Sequence, residues 1–174
     1  MVYINWDKYF LNVCNAVATK SPCLSIQRGA ILVRDKNIVA TGYNGPARDI
    51  PHCGYNRVMK DALLNKELKK YKWNPEQLED TCPRRIMGYK SGEGLEWCTA
   101  THAEQNTIAN AARLGVSTLN TTLYINCEIP CKSCLSSLIN AGVVEIVVAS
   151  LEMYDGCAGF IFDKSTVRLR RFEP

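Results

Sequence analysis

Past residue 102 the spacing of apolar side chains switches repeatedly between a helical and a two-residue period, and this alternation constrains the fold more tightly than any other feature of the chain. It predicts a helix over 102–114, a strand over 122–126, a helix over 131–141, and strands over 143–149 and 166–172. Upstream, Asn5 is placed to cap a helix running to about Thr19, in which Trp6, Tyr9, Phe10, Val13, Cys14 and Val17 recur every three or four residues. Two β-rich runs, 30–33 and 38–41, flank the polar turn 34–37 and predict a hairpin. Strands that alternate with helices are covered by them. The expected fold class is therefore α/β: a single-domain, three-layer α/β/α arrangement over 1–174 with a central mixed five-stranded sheet.

Between the hairpin and residue 102 the regularity fails. Residues 42–54 carry Gly42, Asn44, Gly45, Pro46 and Pro51 and read as a loop. Residues 60–71 predict a basic helix with Leu63, Leu64 and Leu68 on one side and Lys66, Lys69 and Lys70 elsewhere, a solvated amphipathic face rather than a nucleic-acid grip. Residues 73–97 are irregular and glycine-rich, so a glycine- and cysteine-rich insertion is expected at about 54–98.

With 174 residues, 47% hydrophobic and 22% charged, the chain has enough apolar material for one core and is not a disordered tail. The net charge of +4 is too small to demand a polyanionic partner. The first residues, MVYINWDKYF, lack the basic flank and apolar stretch of a secretory signal, and no apolar run reaches the roughly 20 residues that cross a bilayer. A cytoplasmic protein with no membrane partner is expected. Nine cysteines, an odd number, argue against a complete disulfide framework and for reduced thiols, some of them on metal. Cys14, Cys127 and Cys157 read as ordinary small core residues.

Two short segments carry chemistry: His102-Ala103-Glu104 at the start of one helix, and Pro130-Cys131-Lys132-Ser133-Cys134 at the start of the next. Two thiolates separated by two residues reach one ion from a single turn, and an imidazole from another helix supplies a third ligand of the kind Zn²⁺ prefers. Three ligands leave a fourth position open, where zinc brings the pKa of water to about 7. Free N–H groups and the positive end of each helix favour the thiolate form. Pro130 fits just ahead of the second helix, where its missing N–H costs nothing. Glu104, two residues past His102, is free to act as the general base and acid rather than as a ligand. H-x-E followed by P-C-x-x-C is the pattern of zinc deaminases.

At these residues the sequence resembles the cytidine and deoxycytidylate deaminase superfamily, and most closely its deoxycytidylate (dCMP) deaminases. The resemblance runs through GAILVRDKNIVATGYNG at 29–45, His52-Cys53, CPRR at 82–85, SGEGLEWCTATHAEQNTIANAARLG at 91–115 and LYINCEIPCKSCLSSLINAGV at 123–143. It implies hydrolytic deamination of dCMP to dUMP for thymidylate synthesis on a cytidine deaminase-like fold. His102, Cys131 and Cys134 would then bind the catalytic zinc, and Glu104 would shuttle protons. By the same resemblance Asn44 contacts the deoxyribose and base, the backbone of Ala103 holds the pyrimidine, and Tyr154 covers the nucleotide. Asn44 before Gly45 is also an ordinary turn pair. A second, structural zinc is implied on Cys23, Cys53 and Cys98, with Cys82 as fourth ligand and His52 as its substitute. The resemblance also implies a homohexamer regulated allosterically by dCTP and dTTP with Mg²⁺. Arg28, Arg48 and Lys60 are basic residues available for phosphate contacts, and none is assigned.

Two other classes use the same zinc pattern. A tRNA adenosine or single-strand cytidine editing deaminase calls for a broad basic or aromatic groove, and the sequence concentrates no such residues. Arg168 and Arg170 alternate with Val167 and Leu169 as in a half-buried strand. A non-catalytic zinc module has no use for Glu104 beside the metal. The expected partner is a small nucleotide, not a nucleic acid.

Overall fold

The computed structural model of the chain describes residues 4–173. In chain order its elements are α1 (Trp6–Ala18), β1 (Gly29–Arg34), β2 (Asn37–Tyr43), α2 (Tyr55–Lys60), α3 (Ala62–Leu68), α4 (Gln77–Asp80), α5 (Pro83–Ile86) and a 3-10 turn at Leu95–Trp97. There follow α6 (Ala103–Arg113), β3 (Thr121–Ile125), α7 (Lys132–Asn140), β4 (Val143–Val148), α8 (Gly156–Lys164) and β5 (Arg168–Arg171). The chain divides into two compact units. One comprises residues up to Ser21 together with Arg28–Asn44 and everything from His102; the other comprises Pro22–Gln27 and Gly45–Thr101.

The first unit is built on a five-stranded sheet in the order β2-β1-β3-β4-β5. β1 pairs antiparallel with β2 and β3, whereas β3/β4 and β4/β5 are parallel, so the sheet is mixed as expected. The hairpin turns on Asp35 and Lys36, both at positive φ as a two-residue turn between right-twisted strands requires; Asn37 Nδ2 donates to the Asp35 carbonyl at 2.8 Å. Asn5 caps α1, its Oδ1 accepting from the Lys8 N–H at 2.7 Å. Alternate residues of each strand serve opposite faces. Ile31, Val33, Tyr124 and Val147 pack on Phe10 and Cys14 of α1, while Leu32, Leu123, Ile125, Ile146 and Val148 pack on Ala103 and Ala111 of α6, Leu135 and Leu138 of α7, and Ala158 of α8. These two clusters make three layers. Each fully buried leucine or isoleucine among them contributes about 1.5–3 kcal/mol of transfer free energy.

Two glycines permit the closest approaches. A Cβ at Gly29 would lie 2.2 Å from the Cys14 carbonyl oxygen of α1. One at Gly42 would lie 2.4 Å from both the Thr107 nitrogen and its Oγ1, and 2.7 Å from the Ala103 oxygen of α6. β2 and α6 can touch this way only because residue 42 has no side chain.

The second unit has its own small core, with Val58, Leu64, Leu68, Leu78 and Met87 buried and Tyr71, Trp73, Ile86, Tyr89 and Trp97 packed against them. Its helices are short, and the expected continuous helix over 60–71 is broken. Lys60 ends α2, Asp61 adopts an extended conformation, and its side chain caps α3 by accepting from the Leu64 N–H at 3.0 Å. The break rotates Leu63 out to solvent, away from the Leu64 and Leu68 it was expected to join.

Three further differences are local. Trp6 and Tyr9 lie on the exposed flank of α1, because that stripe is wider than the face the sheet covers. Cys157 is exposed rather than in the core: α8 turns Ala158, Ile161 and Phe162 inward and leaves Cys157 outside that face. The expected strand over 166–172 is shorter, and α8 ahead of it was not anticipated. Its alternation is the expected one, with Arg170 paired to Asp7 and Glu145, and Arg168 within 3.7 Å of Glu145.

Candidate active site

α6 and α7 begin on the same face of the sheet, and their first residues carry the two motifs. His102 is the N-cap of α6 and Cys131 the N-cap of α7, both extended and neither using its side chain to cap. The side chains are turned to each other instead. His102 Nδ1 lies 3.3 Å from Cys134 Sγ and 3.6 Å from Cys131 Sγ, and the three donor atoms all fall within 4.8 Å of one another. Among the described residues no other group of three His, Cys, Asp or Glu side chains comes together this way. His102 is exposed, Cys131 half-buried and Cys134 buried, so the trio is anchored in the core at one end and open at the other.

The Cys131 end of the trio is in the form a metal binds. A hydrogen bond from the Cys134 thiol, then one from His102, brings the Cys131 sulfur down to about 3 against the cost of burial, so it is a thiolate. The same bond raises Cys134, and the Cys131 thiolate raises His102, so a metal binding here displaces protons from both. One imidazole and two sulfurs at helix N-termini form a borderline-soft donor set that fits Zn²⁺, and that fit rests on this geometry alone.

Glu104 is buried, at 5% exposure, in the first turn of α6. Burial pushes its carboxyl above the ordinary range, more than its own backbone N–H and the nearby His102 lower it. Its side chain also makes hydrogen-bond contact with Cys134. A carboxyl raised toward neutrality beside a metal-ligand trio suits proton transfer in both directions.

Ala103, the first residue of α6, is buried, and its carbonyl accepts from Thr107 Oγ1 at 2.7 Å. Asn44 is buried just past β2. Its Oδ1 accepts from Ser21 Oγ at 2.8 Å and from the Arg28 N–H at 2.7 Å, which fixes the orientation of its amide. Arg28 pairs with Glu128 at 2.9 Å. Tyr154 is 63% exposed and rests its hydroxyl against the Cys131 sulfur; burial of that hydroxyl and the thiolate both raise it. Of the thiols read as structural, Cys14 is buried, donates to the Tyr124 carbonyl at 3.3 Å and is pushed up to about 12 by burial, while Cys127 is raised by burial and by Glu104 nearby. Both are inert.

The four remaining cysteines belong to the second unit. Cys23, Cys53, Cys82 and Cys98 line one cavity of about 20 Å³ together with Arg57 and Arg84. The Cys53 and Cys82 sulfurs are 4.0 Å apart, and the hydrogen bond between them, helped by Arg84, lowers Cys82 to about 5. The four do not gather as tightly as the His102 trio. His52 is exposed and does not line the cavity.

Sequence reasoning passed over Asp155. Its carboxylate accepts from the Lys132 N–H of α7 at 2.9 Å and from Cys157 and Ala158 N–H of α8. An aspartate directly ahead of the small-residue run 156–159 is a capping signal, masked by the glycines that weaken α8.

Comparisons with known proteins point to one family. The family described as the cytidine and deoxycytidylate deaminase zinc-binding region matches residues 4–150. The chain is 28% identical over 170 residues to the deoxycytidylate deaminase of Schizosaccharomyces pombe, a match covering 98% of this chain and 45% of that protein. It is 32% identical over 149 residues to the deoxycytidylate deaminase of Mycobacterium phage D29, covering 83% of this chain and 93% of that one. The chain spans about half the length of the two yeast relatives it matches. In three dimensions it resembles the dCMP deaminase of cyanophage S-TIM5 solved with dCMP and dUMP, with a TM-score of 0.64 at 17% identity over 98% of this chain and 99% of that one. No helix among the described residues is long and apolar enough to cross a membrane.

Proposed function

The chain belongs to the cytidine and deoxycytidylate deaminase family, and on that premise we propose that it hydrolyses dCMP to dUMP and ammonia with a zinc ion held by His102, Cys131 and Cys134. The observation that carries the reading is the trio itself, three zinc-type donors within 4.8 Å beside a buried Glu104 whose carboxyl is raised. When bound there, zinc supplies a Lewis-acid centre that makes a hydroxide nucleophile available near neutral pH. Glu104 takes the proton released from the attacking water and returns it to the pyrimidine, and the C4 amino group leaves as ammonia. Asn44, its amide fixed by Ser21 and Arg28, contacts sugar and base; the Ala103 backbone holds the ring; Tyr154 covers the nucleotide.

Four finer statements belong to the same reading. A second, structural zinc sits among Cys23, Cys53, Cys82 and Cys98. It is supported by their shared cavity and by Arg84 Nε, which is buried there without a hydrogen-bond partner and is suited to a thiolate sulfur. Cys82 rather than His52 is the fourth ligand, because only Cys82 faces the cavity. The protein works in the cytoplasm, in keeping with nine free cysteines. It assembles as a homohexamer regulated by dCTP and dTTP with Mg²⁺, a reading drawn from family resemblance.

The test is a substrate panel. Zinc-loaded protein converts dCMP to dUMP, followed by loss of cytosine absorbance, faster than deoxycytidine or dCTP, and leaves single-stranded DNA and tRNA unchanged. Preference for either polynucleotide overturns the reading.

A further inference from the structure

The N-cap residue of a helix usually turns its side chain back onto the first unbonded N–H groups, and Cys131 at the head of α7 does not. Its sulfur is committed to the His102 side. The N–H of Lys132, the first residue of α7, is taken by Asp155 Oδ2 at 2.9 Å. Oδ1 of the same carboxylate accepts from Cys157 N–H at 3.0 Å and Ala158 N–H at 3.3 Å, capping α8. One side chain thus serves two helix ends. The segment leading to it lies alongside the segment leading to Cys131. Ala149 and Ser150 N–H donate to the Cys127 carbonyl at 2.9 and 3.3 Å, and Ile129 N–H donates to the Glu152 carbonyl at 3.2 Å. Tyr154, the preceding residue, makes its hydroxyl contact with the Cys131 sulfur.

We propose that Asp155 is a positioning residue that ties the first N–H of α7 to the head of α8, so holding the Cys131 sulfur where it can serve as a ligand and Tyr154 beside it. The inference rests on the reading of His102, Cys131 and Cys134 as a zinc site. Without the carboxylate, the first N–H of α7 loses its acceptor, and the helix end that carries Cys131 loses its tie to the 149–155 segment. A helix end free to shift carries the sulfur off the position an ion would need. Partners that orient first ligands in this way typically alter metal affinity by about 10- to 100-fold when removed.

Asp155→Asn separates capping of α7 from folding. The variant keeps an oxygen for the α8 N–H groups but offers Lys132 an amide nitrogen, which cannot accept. The expected variant melts within about 4 °C of the parent, yet passes its zinc to a chromogenic chelator about tenfold faster, and its cobalt-substituted form shows altered thiolate-to-metal absorption. Zinc release at the parental rate from folded, zinc-loaded variant overturns the proposal. Should the variant not fold, hydrogen exchange of the Lys132 amide in the unaltered protein decides: strong protection supports the cap, and exchange at the rate of an unstructured peptide overturns it. An unaltered protein that binds no zinc at the trio overturns the underlying functional reading as well. A zinc-loaded parent with an indifferent variant overturns only the role of Asp155.

Discussion

The His102, Cys131 and Cys134 trio and the Cys23, Cys53, Cys82 and Cys98 quartet place similar chemistry on unlike supports. The trio stands on two helix N-termini whose positions are set by a packed sheet, and its donor atoms lie within 4.8 Å of one another. The quartet hangs from loops and one-turn helices around a cavity of about 20 Å³, with the Cys53 and Cys82 sulfurs 4.0 Å apart. Donors held by a packed sheet can spare a coordination position for chemistry. Donors on loops and one-turn helices would need every ligand to close a site, and a metal there would in return lend stability to the segments it joined.

The largest effect that sharpens this contrast lies at Glu104. Glu104→Gln keeps the zinc and the fold but lowers turnover by about 10²- to 10⁴-fold, because the proton carrier beside the open position is gone. Undiminished turnover in steady-state assays of that variant places the acid–base group elsewhere. Next come the ligands, read by metal analysis and melting together. If both sites take zinc, analysis of the unaltered chain is expected to find about two ions. Cys131→Ser removes one along with activity and leaves the melting temperature nearly unchanged; Cys53→Ser removes the other and lowers melting on the order of 10 °C. Equal melting temperatures for the two variants would erase the distinction between a working and a supporting metal.

The smallest effect tests whether the sheet unit is held by its own packing and polar contacts. Burial raises the Asp7 carboxyl, but Arg170, the Glu173 N–H and Tyr124 together outweigh it and hold Asp7 below the ordinary 3.8. Arg170 Nη2 donates to Asp7 Oδ1 at 3.0 Å, and the Glu173 N–H to Oδ2 at 3.0 Å. A depressed carboxyl contributes stability that is complete above pH 3.8 and fades as pH falls through its lower folded value. Asp7→Asn therefore costs about 1–3 kcal/mol at neutral pH, and the gap from the parent narrows in acid melting curves below that point. A gap that stays constant into strong acid would assign the stability to packing alone.

Legibility in the sequence follows the same division. Asn5 announced the start of α1, the alternation around Asp35 and Lys36 announced the hairpin, and both metal motifs were visible because their ligands sit within one helical turn of a helix start. Those signals are local. Asp61 splitting the 60–71 helix was harder to see, since its capping oxygen competes with a run of good helix formers. Gly156 and Gly159 dilute the periodicity of α8, and without a legible helix nothing in the sequence turns Cys157 outward. Asp155 acts on α7 from a distance of more than twenty positions, and no window along the chain contains both partners. The shared cavity of the four distant cysteines is likewise a product of folding, not of spacing.

At Gly42, β2 and the helix carrying His102 and Glu104 meet with less clearance than a single methyl group. A residue that contributes no donor, acceptor or charge thereby gauges where the imidazole and the carboxylate stand. Any redesign of this site has freedom along the exposed rim near Tyr154, but none at that contact: a hydrogen atom is the shim on which the imidazole and the carboxylate are levelled.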